Sequence, residues 1–339
     1  MYLSGLDITL PARRITTVQA IEASEYDTPN AERDGYLGAA IEDKLYPADM
    51  ALHAARKALA ESGHAPEQVA TLSYASIHRH GHARLWSPAA YLQHQLKIDN
   101  ALPVSIQHGC NGGFLALKLM APHIQADQVG LLVTADRFAE SGFNRWMGDY
   151  GLIYGDAAVA ATVSAQSGFA KILHFDVCSL PALERLHRMP LPSPETAGSY
   201  FSEYDIRRTK KSFLEAFSRE GFVEPIQRAL TRLRNALLDK YNLREHPARW
   251  LIPPFVGNSI REETYEAHFG DLATHNAWQF GREIGHTGAS DGLLGLHLLR
   301  QKGHLQPGDR VLIISAGAGF SCSVVLLEMQ SPKDQEETI

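Results

Sequence analysis

Cysteine is scarce in this chain: only Cys110, Cys178 and Cys322 occur in 339 residues. Three thiols at that length do not make a disulfide framework, and such usage points to a reducing cytoplasm. No run of about 18 apolar residues occurs, so no membrane-spanning helix is expected. The opening residues, MYLSGLDITLPARR, put Asp7 and Pro11 where a secretory leader needs an unbroken apolar stretch, and no leader is expected. Excess positive charge is missing as well. Lys and Arg number 32 against 38 Asp and Glu, a net charge of −6. That balance argues against nucleic acid or anionic membrane as a general partner, although a local basic patch could still meet an acidic one. Simple repeats and charged tails are lacking too, apart from a polar stretch after Gln330. With 45% hydrophobic and 21% charged residues the chain reads as globular, of a length for two domains or one duplicated unit.

Short β-rich runs alternate with helical periods, the pattern of an α/β protein. In the first half, Asp49 is placed to cap a helix reaching Gly63, with Leu52, Ala55, Ala58 and Leu59 on one stripe. Strands are expected at 70–77, 104–106, 129–135 and 157–163, the last two apolar on both faces. Pro88 opens a helix through Leu96, and 114–120 reads as a helix apolar on nearly every face. The second half repeats the order more loosely. It has strands at 169–177, 250–252, 310–315 and 321–327, and helices at 260–268 and 289–300. Two βαβα-type halves, 1–167 and 168–339, are therefore expected. Residues 180–240 break the rhythm with Pro181, Pro190, Pro192 and Pro194 followed by two helical stretches. Such a segment serves either as a functional cap or as a surface excursion, and its amphipathic later part favours the cap.

Four clusters carry possible chemistry. Cys110 follows an apolar strand at the entrance to a buried helix, where free N–H groups and the helix dipole favour a thiolate. Glycines 109, 112 and 113 let backbone and substrate approach closely. The same context also fits a buried structural cysteine. In the turn Gly285-His286-Thr287-Gly288-Ala289-Ser290-Asp291, a carboxylate five residues on can orient an imidazole, the arrangement that activates a neighbouring nucleophile. A helix-capping or core histidine, with Asp291 as a first-turn dipole partner, is the competing reading. Ser315-Ala316-Gly317-Ala318-Gly319-Phe320 is glycine-rich. It lacks the third glycine of a dinucleotide fingerprint and runs into a strand rather than a helix. Its bare N–H groups suit an oxyanion hole instead. His78-Arg79-His80-Gly81-His82 alternates histidines, but with no nearby carboxylate or cysteine and a flexible Gly81 no metal is expected there.

Taken together, IQHGCNGGFLALKLM, YGDAAVAATV, WLIPPFVGNSI, GREIGHTGASDGLLGL and GDRVLIISAGAGFSCSVVLLE resemble the β-ketoacyl-acyl-carrier-protein synthase III family of the thiolase superfamily. The resemblance covers nearly the whole chain. It implies a thiolase fold, two pseudo-duplicated halves in an α-β-α-β-α layering, and a homodimer. By the same resemblance Cys110 accepts the acyl group, and its own N–H and that of Ala318 form the oxyanion hole. Trp86 falls where the family places an aromatic reaching into the partner subunit's acyl pocket. No permanently bound cofactor is implied; the acyl donor is a coenzyme A or phosphopantetheine thioester, free or on an acyl-carrier protein.

Two departures from the family bear on the reaction. Condensing members have a histidine after the Ile-Pro that ends the strand, where this chain has Pro254 after Ile252-Pro253. They also have an asparagine where this chain has His286. That pair stabilises the enolate left by decarboxylation, and proline has no N–H to donate. What remains, Cys110, His286 and Asp291, resembles the natural-product subgroup that moves an acyl group to a hydroxyl, an amine or a carrier thiol. Condensation with a malonyl extender is the alternative. Trp86, Phe143, Trp146 and Tyr154 are expected around the acyl group, where aromatics suit an aryl or medium-length chain. Each also fits ordinary core packing. Arg207, Arg208, Lys210 and Lys211 are expected to meet the carrier protein or coenzyme A phosphates, unless they form a solvated helix face.

Overall fold

The computed structural model describes residues 1–78, 85–139, 143–188 and 206–331. Arg79, His80, Gly81 and His82, and the prolines at 190, 192 and 194, lie outside the described residues. Ten of the twelve strands form one sheet. The first five are β1 (Tyr2–Thr9), β4 (Val69–Ala75), β5 (Leu102–Ile106), β6 (Val129–Asp136) and β7 (Ala157–Ser164). The second five are β8 (Ala170–Ser179), β9 (Ala248–Ile252), β10 (Ala273–Asn276), β11 (Arg310–Gly317) and β12 (Ser321–Met329). A separate ribbon pairs β2 (Arg14–Thr16) with β3 (Gly38–Ala40).

The sheet runs β10-β9-β11-β12-β8-β1-β7-β6-β4-β5. Read outward from the β8–β1 seam, both halves follow one order: first strand, fifth, fourth, second, third. In each half the fifth strand is antiparallel and the rest of the outer ladder is parallel. Within the sheet, β1 and β8 join the halves through two residue pairs, Tyr2 with Lys171 and Leu3 with Ala170. The fold is the pseudo-duplicated thiolase architecture.

Helices complete the layers. The first half carries α1 (Thr17–Glu22), α2 (Thr28–Asp34), α3 (Pro47–Ser62), α4 (Pro88–Leu96) and α5 (Gly112–Met120). The second carries α6 (Ile206–Lys240), then α7 (Asn258–Ile260) and α8 (Ala267–Phe269) on either side of a π-helical turn, then α9 (Trp278–Ile284) and α10 (Asp291–Gln301). Alternation along the central strands sorts three packed cores. In β11, Val311 and Ile313 face the middle layer, while Leu312 and Ile314 face the outer layer with α6. In β6, Leu132 faces the middle layer, and Leu131 and Val133 face α3 and α4. Such strands are apolar on both faces because both are covered. In the middle layer α5 meets α10: a Cβ on Gly292 would sit 2.9 Å from the Phe114 ring.

Several expectations are corrected. The helix expected from Asp49 begins at Pro47, with Tyr46 at the cap and Asp49 in the first turn, because proline's missing N–H and fixed φ suit the first helical position. Helix α5 is not buried all round: Leu119 is 54% exposed. Residues 226–237 of α6 belong to the core of the second half, where Ile226, Leu230, Leu233 and Leu237 pack on the sheet as α3 does on the first. Only the earlier part of α6, before the break at Ser218 (φ +62°), stands near the site. β1, β10 and α9 were not foreseen; they are short or half-exposed and carry weak periodicity. Among the described residues, no helix is long and apolar enough to cross a membrane.

Candidate active site

The duplication brings the N-terminal ends of the two middle helices together. Cys110 lies in the 3₁₀ turn Gly109–Asn111 leading into α5, and His286 and Asp291 flank the turn Gly288–Ser290 leading into α10. The two turns touch. His286 Nε2 lies 2.9 Å from Cys110 Sγ, and His286 Nδ1 lies 2.6 Å from Asp291 Oδ2. A thiol, an imidazole and a carboxylate thus stand in line, the arrangement that can activate a nucleophile, with the first two 176 positions apart in the chain.

Each member is fixed by its surroundings. Asp291 Oδ1 accepts the backbone N–H and the hydroxyl of Thr287, both at 2.7 Å, and Oδ2 accepts the Phe255 N–H at 2.8 Å. These donors, together with the His286 ring, fix the orientation of the buried carboxylate. The His286 backbone is stitched to the 153–155 segment: its N–H donates to Ile153 O and its carbonyl accepts from Gly155 N. Burial opposes a charge on the His286 ring. The Asp291 carboxylate and the Cys110 thiolate outweigh that cost, so the ring titrates well above the ordinary histidine range.

The glycine-rich turn between β11 and β12 closes over the sulfur. A Cβ on Gly317 would lie 2.5 Å from the nitrogens of both Cys110 and Asn111, and one on Gly109 would lie 2.5 Å from the Ala318 nitrogen. Gly109 also has φ +54°. Bare backbone at 109 and 317 therefore lets the two segments meet with the Cys110 and Ala318 nitrogens close to the nucleophile.

Of the aromatics expected at the pocket, Phe143 and Tyr154 are brought to the site. Tyr154 stands 5.5 Å from the His286 ring and 5.1 Å from Phe143, with Phe138, Ile77 and Ile206 alongside. His78 stacks on Phe138 and Phe143. Trp146 packs 5.8 Å from Tyr26 and, with Phe138 and Phe143, helps line a cavity of about 520 Å³. Trp86 stacks on Tyr91 at the start of α4.

The basic cluster divides as well. Lys210 Nζ lies 2.6 Å from the buried Asp149 carboxylate, and Arg207 donates to the Asp149 carbonyl and covers the Tyr150 ring. Both point inward. Arg208 and Lys211 are exposed, with Lys211 near Glu215.

Sequence reading had not singled out several supporting residues. Arg145 and Asp156 form a buried two-pronged pair at 3.1 Å, and Asp156 also holds the Phe138 N–H. Asp136 accepts the N–H groups of Ile77 and His78, both at 2.8 Å. Burial pushes its carboxyl up to about 7. His108 and Asn111 flank Cys110 and share Ser321. Adjacency to the nucleophile was the only sequence signal for His108.

The profile of the 3-oxoacyl-(acyl-carrier-protein) synthase III family matches residues 104–181, and that of its C-terminal part matches 238–329. A solved structure of ChlB3, named an acyltransferase, is 30% identical over 98% of this chain and 99% of its own, with a TM-score of 0.89. The synthase III of Aquifex aeolicus VF5 is 21% identical over 96% of this chain and 99% of its own, with a TM-score of 0.75. The priming β-ketosynthase of the R1128 polyketide pathway is 17% identical over 98% and 96%, with a TM-score of 0.72; these last two likenesses are of fold. With both parts of the family profile matched in order around Cys110 and His286, the chain belongs to the 3-oxoacyl-(acyl-carrier-protein) synthase III family.

Proposed function

We propose that the protein is a thioester-dependent acyltransferase working through an acyl-Cys110 intermediate and delivering the acyl group to a hydroxyl, amine or carrier thiol. The observation that carries this reading is the unbroken line Cys110–His286–Asp291. A condensing enzyme needs donors for an enolate; here the residue after Ile252-Pro253 is Pro254, and the next N–H, that of Phe255, is committed to Asp291. The likeness to ChlB3 supports the same direction.

The steps follow from the charges. The Cys110 thiolate, paired with a protonated His286, attacks the carbonyl of a coenzyme A or acyl-carrier thioester. The N–H groups of Cys110 and Ala318 receive the developing oxyanion. The tetrahedral adduct collapses, His286 gives its proton to the leaving thiol, and the acyl group stays on sulfur. Acylation removes the sulfur's negative charge, one of the influences that keep His286 protonated. The ring is then a free base, oriented by Asp291, and takes the acceptor's proton as the acceptor attacks. Phe143 and Tyr154 wall the acyl group. Arg208 and Lys211, exposed on α6, are the members of the basic cluster that would meet a carrier protein or coenzyme A phosphates.

We place the active form as a homodimer built along β5. This edge strand exposes Leu102 (63%) and Val104 (37%), apolar side chains on an unpaired edge that a second copy would cover. In that dimer Trp86 serves the partner's pocket. Intact-protein mass spectrometry after brief exposure to a panel of acyl thioesters tests the reading. A mass gain lost in Cys110→Ala, then discharged by alcohols or amines without malonyl donor, is expected. Discharge only by malonyl-carrier with carbon dioxide release moves the assignment to condensation.

A further inference from the structure

We infer that His108 is a positioning residue for the oxyanion hole: it braces the 317–320 turn on the nucleophile turn and so fixes the Ala318 N–H. This rests on the reading of Cys110 as the acylated residue.

Ala318 sits on a three-residue link between β11 and β12, and a donor there stabilises an oxyanion only if it is held before the charge appears. The turn is gripped from two sides. On the outside, Leu180 N–H donates to Phe320 O at 2.8 Å. On the inside, the half-buried His108 ring abuts Gly319, where a Cβ would come within 2.7 Å of the ring; φ there is +130°, so the bare backbone is needed twice over. The same ring reaches past the turn, its Nε2 2.8 Å from Ser321 Oγ. Asn111 Nδ2 reaches that oxygen from the other side at 2.7 Å. Residues two before and one after the nucleophile therefore converge on one buried hydroxyl at the far end of the turn that carries Ala318.

Ser321 Oγ receives the Asn111 N–H, and either its second lone pair or its own hydrogen meets His108 Nε2, according to the tautomer of the ring. Burial, which holds His108 below the ordinary histidine range, keeps it neutral under working conditions. His108 is thus a fixed strut, distinct from His286, which changes charge in the cycle.

Two reactions of the same sulfur separate this role from a general structural one. Alkylation of Cys110 by iodoacetamide needs the thiolate but no oxyanion donor; acylation by a thioester needs both. His108→Phe keeps a ring on Gly319 but loses the bond to Ser321, and Ser321→Ala removes one oxygen and leaves the ring. With hexanoyl- and benzoyl-coenzyme A as probes, both variants are expected to acylate about 10- to 100-fold more slowly, the scale of a displaced catalytic group. Their alkylation rates stay within about twofold of the native protein. His108→Gln, which restores a hydrogen-bond partner for Ser321, recovers part of the loss. Unchanged acylation in both variants overturns the inference, as does a parallel fall in both rates, which would put the role at the sulfur or in folding. A native protein that no probe acylates overturns the acyl-enzyme reading itself, visible before any variant is made, and the inference falls with it.

Discussion

Lys210 Nζ sits 2.6 Å from Asp149 Oδ1, and this pair fastens the start of α6 to the loop that leads to Tyr154. Asp149 Oδ2 also accepts the Tyr154 hydroxyl at 2.9 Å, and Tyr154 lies beside His286. The start of α6 and the surroundings of the His286 ring are thereby linked through one buried carboxylate.

Lys210→Met should cost stability, since it leaves the Asp149 charge buried without its cation. Breaking a buried pair costs roughly 3–5 kcal/mol; Lys210 retains some exposure, so the lower end, about 3 kcal/mol, is expected. The pH dependence has a definite sign. Burial alone would raise the Asp149 carboxyl, but Lys210 and the donors from Tyr150 and Tyr154 hold it below the usual carboxylate range. Its stabilisation is present above the ordinary aspartate pKa and is lost as pH falls through the lower folded value. Urea unfolding at pH 7 and at about pH 2.5, well under the ordinary aspartate pKa of about 3.9, should show the variant's deficit shrinking toward acid; an equal deficit at both would disprove the linkage.

Asp291→Asn should slow alkylation of Cys110 near neutral pH. The carboxylate is a main reason the His286 ring stays protonated beside the thiolate. Without it the ring loses its proton at lower pH and the thiolate loses its counter-charge. At neutral pH, iodoacetamide should therefore modify the variant more slowly than the native protein. Superimposable pH–rate curves would exclude Asp291 from the triad.

Gly317→Ala should abolish most acylation with little loss of secondary structure. The added methyl would meet the Cys110 and Asn111 nitrogens at 2.5 Å, and those are backbone atoms that cannot rotate aside. Widening the gap moves Ala318 away from the sulfur, and losing one oxyanion donor costs about 10²–10³ in rate. Circular dichroism beside single-turnover acylation checks both halves of the statement.

Asp136→Asn should relieve a pH-dependent penalty. The carboxyl is pushed up to about 7 by burial, against about 3.9 for an unfolded aspartate, so the folded state binds the proton more tightly between those values. Native stability from this group therefore falls as pH rises from about 4 to 7. The amide keeps an acceptor for Ile77 and His78 and carries no charge. Its melting temperature, relative to the native protein, should be more favourable at pH 8 than at pH 5; the reverse trend would refute the assignment.

What could be read in the chain depended on how local each signal was. The stretches at 129–135 and 157–163 were legible as buried strands because apolar residues on both faces leave no other economical burial. Helix α4 was legible because Pro88 opens it; the Ser87 cap is seen only in the fold. Cys110, His286, Asp291 and Ala318 were candidates from small-residue turns beside apolar segments, and the family resemblance gave them roles. The edge strand β10 and helix α9 carried no comparable signal, being short and half-exposed or lacking a stripe.

By itself, then, the sequence determined the α/β class, the succession of most core elements and the list of chemically able residues, since these depend on periodicity and residue type over a few positions. The tertiary structure alone decided which of those residues meet. Cys110 and His286 touch because the duplicated topology sets the starts of α5 and α10 against each other, a contact no local window contains. The same holds for the inward turn of Lys210 and Arg207, for Trp146 packing on Tyr26, and for His108, whose partner Ser321 lies 213 residues away. Long-range sheet pairing creates these encounters, and chain proximity carries no record of them.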